Sequence, residues 1–229
     1  MSEPERRRGR AHDAEGAREA ILNAAEEVFA EHGFDGARID AIAETAGYNK
    51  SLIFHYYDDK LGLYAAVLRR IDQQASEHQA RVFASLLTDG NLTSDARKFR
   101  TAIETVIGLL FDFLVENPPM LRMLTWEAAE GWQTFRKLAS QFSTDDVKML
   151  RQILDKAQEA GLIRPGTDPF KMFLIAYATC LGYLTFSPPL EMVFEDEELS
   201  SPGVLEQARK MIVDFVVRGM MVDPVETTP

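Results

Sequence analysis

The chain has 229 residues, enough to bury a sizeable core as one large domain or two modest ones. Hydrophobic residues make up 46% and charged residues 27%, an ordinary globular composition. The formal net charge of −11 means that the molecule as a whole is not drawn to nucleic acid, so any such binding needs a local basic surface. Cys180 is the only cysteine, which excludes an intramolecular disulfide and fits a reducing interior.

Residues 1–15 are polar and rich in arginine (Arg6, Arg7, Arg8, Arg10), and we expect a disordered basic arm without the apolar stretch of a signal peptide. Order begins with "AREAILNAAEEVFAEHG", where Ile21, Ala24, Ala25, Val28 and Phe29 recur at helical spacing opposite a glutamate-rich face. Gly33 suits a left-handed stop. "FDGARIDAIAETAG" predicts a second, shorter helix with Ile39, Ile42 and Ala43 inward, ended by Gly47. Asn49 then caps a third helix, "KSLIFHYY", because its side-chain oxygen can accept a backbone N–H of the first turn. Asp58 and Asp59 cap a long fourth helix with an apolar stripe through Leu61, Tyr64, Leu68, Ile71, Ala75 and Val82.

Beyond "TDGNLTSD" the helical pattern continues. "ARKFRTAIETVIGLLFDFLVE" stops at Asn117-Pro118-Pro119, and "MLRMLTWEAAEGWQTFRKLASQF" reads as one further helix. "STDDVKMLRQILDKAQEAG" opens on a Ser143 or Thr144 cap and closes on Gly161. Two apolar helices, residues 168–186 and 202–220, complete the series before and after the acidic "EDEE". The run from Met172 to Pro189 holds fewer than the roughly 20 apolar residues of a bilayer span, and Ser187, Pro188 and Pro189 close it, so a buried helix in a cytoplasmic protein is expected, with no membrane partner. Nothing alternates with period two. The expected class is all-α.

Three short helices with turns at Gly33 and Gly47 satisfy a helix-turn-helix unit, in which the third helix presents its outer face to a major groove. Ile53 and Tyr57, four apart, face inward. Lys50, Ser51, Phe54 and His55 lie off that line and Tyr56 sits near the helix end, offering hydrogen-bonding tips to phosphates and base edges. Lys60 opposes the dipole at the start of the fourth helix, and an outside anion would explain it. The acids of residues 1–60 outnumber the bases thirteen to eight, but they cluster on the first helix at Glu19, Glu26, Glu27 and Glu31.

From Arg18 to Tyr64, the amphipathic first helix, "GF", "IDAIAETAG" and "YNKSLIFHYYDDKLGL" together resemble the tetracycline-repressor (TetR-type) family of transcriptional regulators. The resemblance implies an N-terminal helix-turn-helix domain over residues 16–62 and an effector-binding and dimerisation domain over 63–229. It also implies a homodimer through the last two helices, with Ala178 and Gly182 permitting close approach. The partners it implies are double-stranded operator DNA and a small-molecule effector that releases it. Matched position by position, Asn49, Lys50, Ser51, Leu52, His55 and Tyr56 fall at the DNA-contacting positions, and Arg38 and Lys60 at phosphate-gripping ones. Three positions depart from the family pattern: Phe54 replaces a usual tyrosine, Arg38 a small hydroxylated cap, and Tyr57 a phenylalanine. Phe111, Met123, Trp126, Phe173 and Tyr177 are the expected effector-pocket residues, suiting a largely apolar ligand.

Catalysis, metals and cofactors are not expected. His12, His32, His55 and His78 have no metal-ligand spacing, Cys180 lies in an apolar run that keeps a thiol protonated, and no phosphate-cradling loop or nucleophile elbow occurs. The competing readings are a helical protein-interaction adaptor and, less favoured, a small-molecule-processing enzyme.

Overall fold

The computed structural model describes residues 3–87, 92–193 and 198–222, with side chains described except at 3–12, 75–87 and 146. The Glu195–Glu197 part of the acidic run, the middle of the loop after Leu87, and the side chains of Arg6, Arg7, Arg8, Arg10, His12, Ala75, His78 and Val82 therefore lie outside the description. Ten α-helices follow one another, α1 (Glu3–Gly36), α2 (Ile39–Ala46), α3 (Lys50–Tyr57), α4 (Lys60–Leu87), α5 (Ala96–Glu116), α6 (Pro118–Ala129), α7 (Gln133–Leu138), α8 (Asp145–Glu159), α9 (Pro169–Glu191) and α10 (Pro202–Met220). The fold is all-α, and the described residues contain no β-strand beyond one isolated bridge between Ile163 and Met221.

The chain divides into two compact units. One comprises residues 1–74 with 118–142, the other 75–117 with 143–229. In contrast to the expected boundary at residue 62, α4 passes from one unit to the other and α6 and α7 group with α1, α2 and α3. The arm expected to be unstructured to residue 15 instead forms the start of α1, which begins at Glu3.

In the first unit, the five inward positions read from periodicity form the core. Ile21, Ala24, Ala25, Val28 and Phe29 are all buried, with Ile42, Ile53, Leu63 and Tyr64. Tyr64 meets Phe29 edge-on at 4.9 Å and Phe34 at 5.1 Å. At Gly33, φ is 67° and ψ is 179°, a mirror-extended conformation open essentially to glycine alone, rather than the left-handed helical one expected. It breaks α1 and leaves room for the Trp126 ring, which would stand 3.0 Å from any added Cβ. The single helix expected over residues 120–142 is also broken. Gly131 (φ 69°) and Trp132 (φ 62°) both adopt positive φ, separating α6 from α7. Pro118 and Pro119 open α6 immediately after α5, at positions where the missing N–H costs no helical bond.

In the second unit, α5, α9 and α10 pack around Phe99, Ile103, Ile107, Phe111, Leu114, Ala176, Cys180, Ile212 and Val216. Asp112 of α5 accepts two bonds from Arg209 of α10, at 2.7 and 2.9 Å, and Gly108 leaves space for that guanidinium. Asp168 caps α9 by accepting from the Phe170 and Lys171 amides. The helix then runs through Pro188 and Pro189 to Glu191, where the sequence suggested a stop. The prolines remove two N–H donors, while the Ser187 hydroxyl donates back to the Tyr183 carbonyl. At 23 residues α9 is the one described helix long and apolar enough to cross a bilayer by length and composition.

Candidate nucleic-acid interface

The third helix is set by its two ends and one buried side chain. Asn49 accepts the Leu52 amide at 2.9 Å, so the expected cap is present. Ile53 is fully buried and pins the inner face. At the far end Asp58 turns the chain at φ 61°, and Asp59 Oδ1 accepts the Gly62 amide at 2.7 Å. Asp59 thus caps α4, whereas Asp58 serves the turn and not the cap it was expected to share. The turn is tight: a Cβ on Gly62 would lie 2.1 Å from the Tyr57 carbonyl oxygen.

This framing leaves Asn49, Lys50, Ser51, Phe54 and His55 exposed, with Leu52 and Tyr56 half-buried. Tyr57 turns inward and its hydroxyl donates to the Arg18 carbonyl at 3.3 Å; burial raises its pKa above the ordinary tyrosine value. Arg38 is exposed at the N-cap of α2, in extended conformation, with no side-chain cap bond.

The two lysines are less free than their sequence positions suggest. Lys50 forms an ion pair with Asp40 of α2. Lys60 donates to the Asp35 carbonyl at 3.2 Å and lies 4.8 Å from the Phe34 ring centroid. Burial lowers its pKa, opposed by the nearby Asp35 and Glu130 carboxylates. One of three ammonium hydrogens is thus committed to the fold, leaving two for an outside anion. The sequence carried no sign of the Asp40 pairing, because only the fold brings the first turns of α2 and α3 together.

In the same unit stands a residue that sequence reading passed over. Glu127 of α6, 3% exposed, accepts from Tyr64 Oη at 2.9 Å and from the Phe135 amide at 3.1 Å. A glutamate set between Trp126 and the Ala128-Ala129 pair was the available signal.

The expected effector residues divide between the units. Met123 and Trp126 belong to the first, where Met123 is core and Trp126 packs at Gly33. Phe111, Phe173 and Tyr177 belong to the second. Phe111 is buried, 6.3 Å from Tyr183, and burial pushes the Tyr177 hydroxyl up to about 12. Phe173 lines a closed apolar seam with Ile103, Ile107, Leu154, Val216 and Met220. That seam has about 10 Å³ of free room, about enough for one water. The described residues contain no cluster of three or more His, Cys, Asp or Glu placed to hold a metal.

Residues 21–67 match the family model described as bacterial regulatory proteins, tetR family, and residues 100–216 match the tetracyclin repressor-like C-terminal domain. The HTH-type transcriptional regulator RutR of Escherichia coli is 31% identical over 211 residues, 87% of this chain and 90% of that protein. The HTH-type transcriptional repressor NicS of Pseudomonas putida is 29% identical over 176 residues, 76% of this chain and 78% of its own. Among solved structures, a transcriptional regulator from Streptomyces coelicolor is 25% identical with a TM-score of 0.58, covering 89% of this chain and 98% of that one.

Proposed function

Because this chain belongs to the tetR family of bacterial regulatory proteins, we propose that its α3 reads the major groove of an operator as half of a homodimer. The protein is a DNA-binding transcriptional regulator, and the action we assign to it is repression relieved by a small effector. The observation that carries the reading is the outward face of α3. Lys50, Ser51 and His55 stand exposed on a helix held by the Asn49 cap and the buried Ile53. Arg38 and the uncommitted hydrogens of Lys60 supply flanking phosphate contacts.

Dimerisation is assigned to α9 and α10. Leu174, Ala178, Gly182 and Phe186 follow one another at four-residue steps, and Leu174 and Phe186 are 60% and 65% exposed. Met211 and Phe215 repeat the pattern on α10. A second copy covering this stripe explains the apolarity of α9 without a bilayer and fits a cytoplasmic regulator. The effector site is assigned to the apolar seam at Phe173, which carries no ionised side chain and so favours a largely apolar ligand that opens it on entry.

Purified protein would be used to select fragments from genomic DNA. The expected outcome is enrichment of near-palindromes with half-site centres about 34–36 Å apart. Recovery of fragments without any shared sequence would overturn the reading.

A further inference from the structure

α1 and the end of α3 are tied at one residue. The Tyr57 hydroxyl bond to the Arg18 carbonyl fixes that part of the α1 backbone beside α3. The Arg18 guanidinium carbon, in turn, lies 4.8 Å from the Tyr56 ring centroid. His55 at 5.4 Å and Tyr57 at 6.2 Å bracket the same ring. Tyr56 is therefore held on several sides, and its hydroxyl makes no hydrogen bond among the described residues.

Arg18 differs from the other cations around it. Arg70 is consumed by Glu19 and Glu26, Lys50 by Asp40, and Lys60 donates to a backbone carbonyl. Arg18 is exposed, and no described carboxylate pairs with it. Stacking on a ring occupies the face of a guanidinium and leaves its N–H edge available, a fork whose geometry matches two oxygens of a phosphate. A cation braced by an aromatic ring, unpaired and adjoining a DNA-reading helix, is a preorganised phosphate site.

We infer that Arg18 and Tyr56 form a composite clamp for one DNA phosphate beside α3. The guanidinium edge holds the phosphate oxygens and the Tyr56 hydroxyl donates to the same group. The clamp rests on the DNA-binding reading of α3 and extends the contact surface to α1, a helix to which no contact was assigned.

The test is the salt dependence of binding by the full chain to two duplexes of equal length. One is selected by the wild-type protein from a random library and the other is unselected. Arg18→Gln is expected to reduce the slope of log K against log salt by about one unit on both duplexes, weakening binding about fivefold at 0.15 M salt. Arg18→Lys keeps the charge and loses the planar fork, so its slope should stay while affinity falls. Tyr56→Leu should weaken binding more in the wild-type background than in Arg18→Gln, because the ring acts partly through the guanidinium and partly through its own hydroxyl. An unchanged slope in a folded Arg18→Gln variant, full additivity of the two substitutions, or wild-type affinity in Arg18→Lys would each overturn the clamp. Absence of salt-dependent binding by the wild-type protein would instead remove the reading of α3 on which it rests.

Discussion

Tyr64 and Glu127, 63 residues apart, are joined by a buried hydrogen bond of 2.9 Å that ties the start of α4 to α6. The second carboxylate oxygen of Glu127 holds the Phe135 amide, so one side chain also secures the first turn of α7 beyond the positive-φ turn at Trp132. α4 and the α6–α7 segment both leave this unit for the other, at Gln74 and at either end of residues 118–142. Glu127 therefore joins α4, α6 and α7 within the first unit.

Removing that carboxylate strands one buried and one part-buried donor. Glu127→Ala should lower unfolding stability by about 2–5 kcal/mol, read by denaturant titration, with each stranded donor costing about 1–3 kcal/mol. Tyr64→Phe should cost less, because Glu127 retains the Phe135 amide. Equal stabilities for Glu127→Ala and wild type would show that the carboxylate does not organise this unit.

Glu130 faces Asp35, Glu127 and Lys60. Burial raises its pKa above the ordinary 4.5, the repulsion of Asp35 and Glu127 adds to this, and Lys60 partly opposes it. A carboxyl whose folded pKa is raised favours folding below its unfolded pKa and loses that contribution as pH rises through the folded one. Glu130→Gln should accordingly raise Tm relative to wild type at pH 7, with the gap closing as pH falls below about 4.5. A gap that widens on acidification would contradict the environment described for Glu130.

Gly62 admits the Tyr57 carbonyl where a side chain would collide with it. Gly62→Ala must displace backbone rather than a flexible tip, and should cost about 1–3 kcal/mol of stability. It should also weaken operator binding several-fold by shifting the end of α3. Wild-type Tm and operator affinity together would show that the turn relaxes freely.

A Cβ on Gly182 would meet nothing within 4 Å, so a side chain can leave the backbone there without a clash at its first carbon. Gly182→Arg should therefore keep helical content yet yield monomers by sizing with light scattering, because it places an unpaired charge in the proposed dimer contact. Operator affinity should fall with dimer loss. A stable dimer would move the interface elsewhere.

Cys180 is buried, and burial pushes its thiol up to about 12. Alkylation by iodoacetamide at pH 8 should be slow in the native protein and fast in denaturant, since the thiolate is the reactive form. Rapid native labelling would indicate that α9 opens in solution.

What the sequence determined by itself was largely local. The inward stripe of α1, the Asn49 cap, the Gly47 stop and the split of α3 into a buried Ile53 and an outward Lys50, Ser51 and His55 all depend on residues within a turn or two of one another. Helical periodicity and capping encode such relations directly. The tertiary structure decided what depends on distant partners. It paired Lys50 with Asp40, drew Lys60 back onto Asp35, stacked Arg18 on Tyr56 and buried Glu127 against Tyr64. It also placed Met123 and Trp126 in one unit and Phe111, Phe173 and Tyr177 in the other. Aromatic composition marks these side chains as apolar, but which of them share a surface depends on how helices far apart in sequence pack, and no short-range pattern records that.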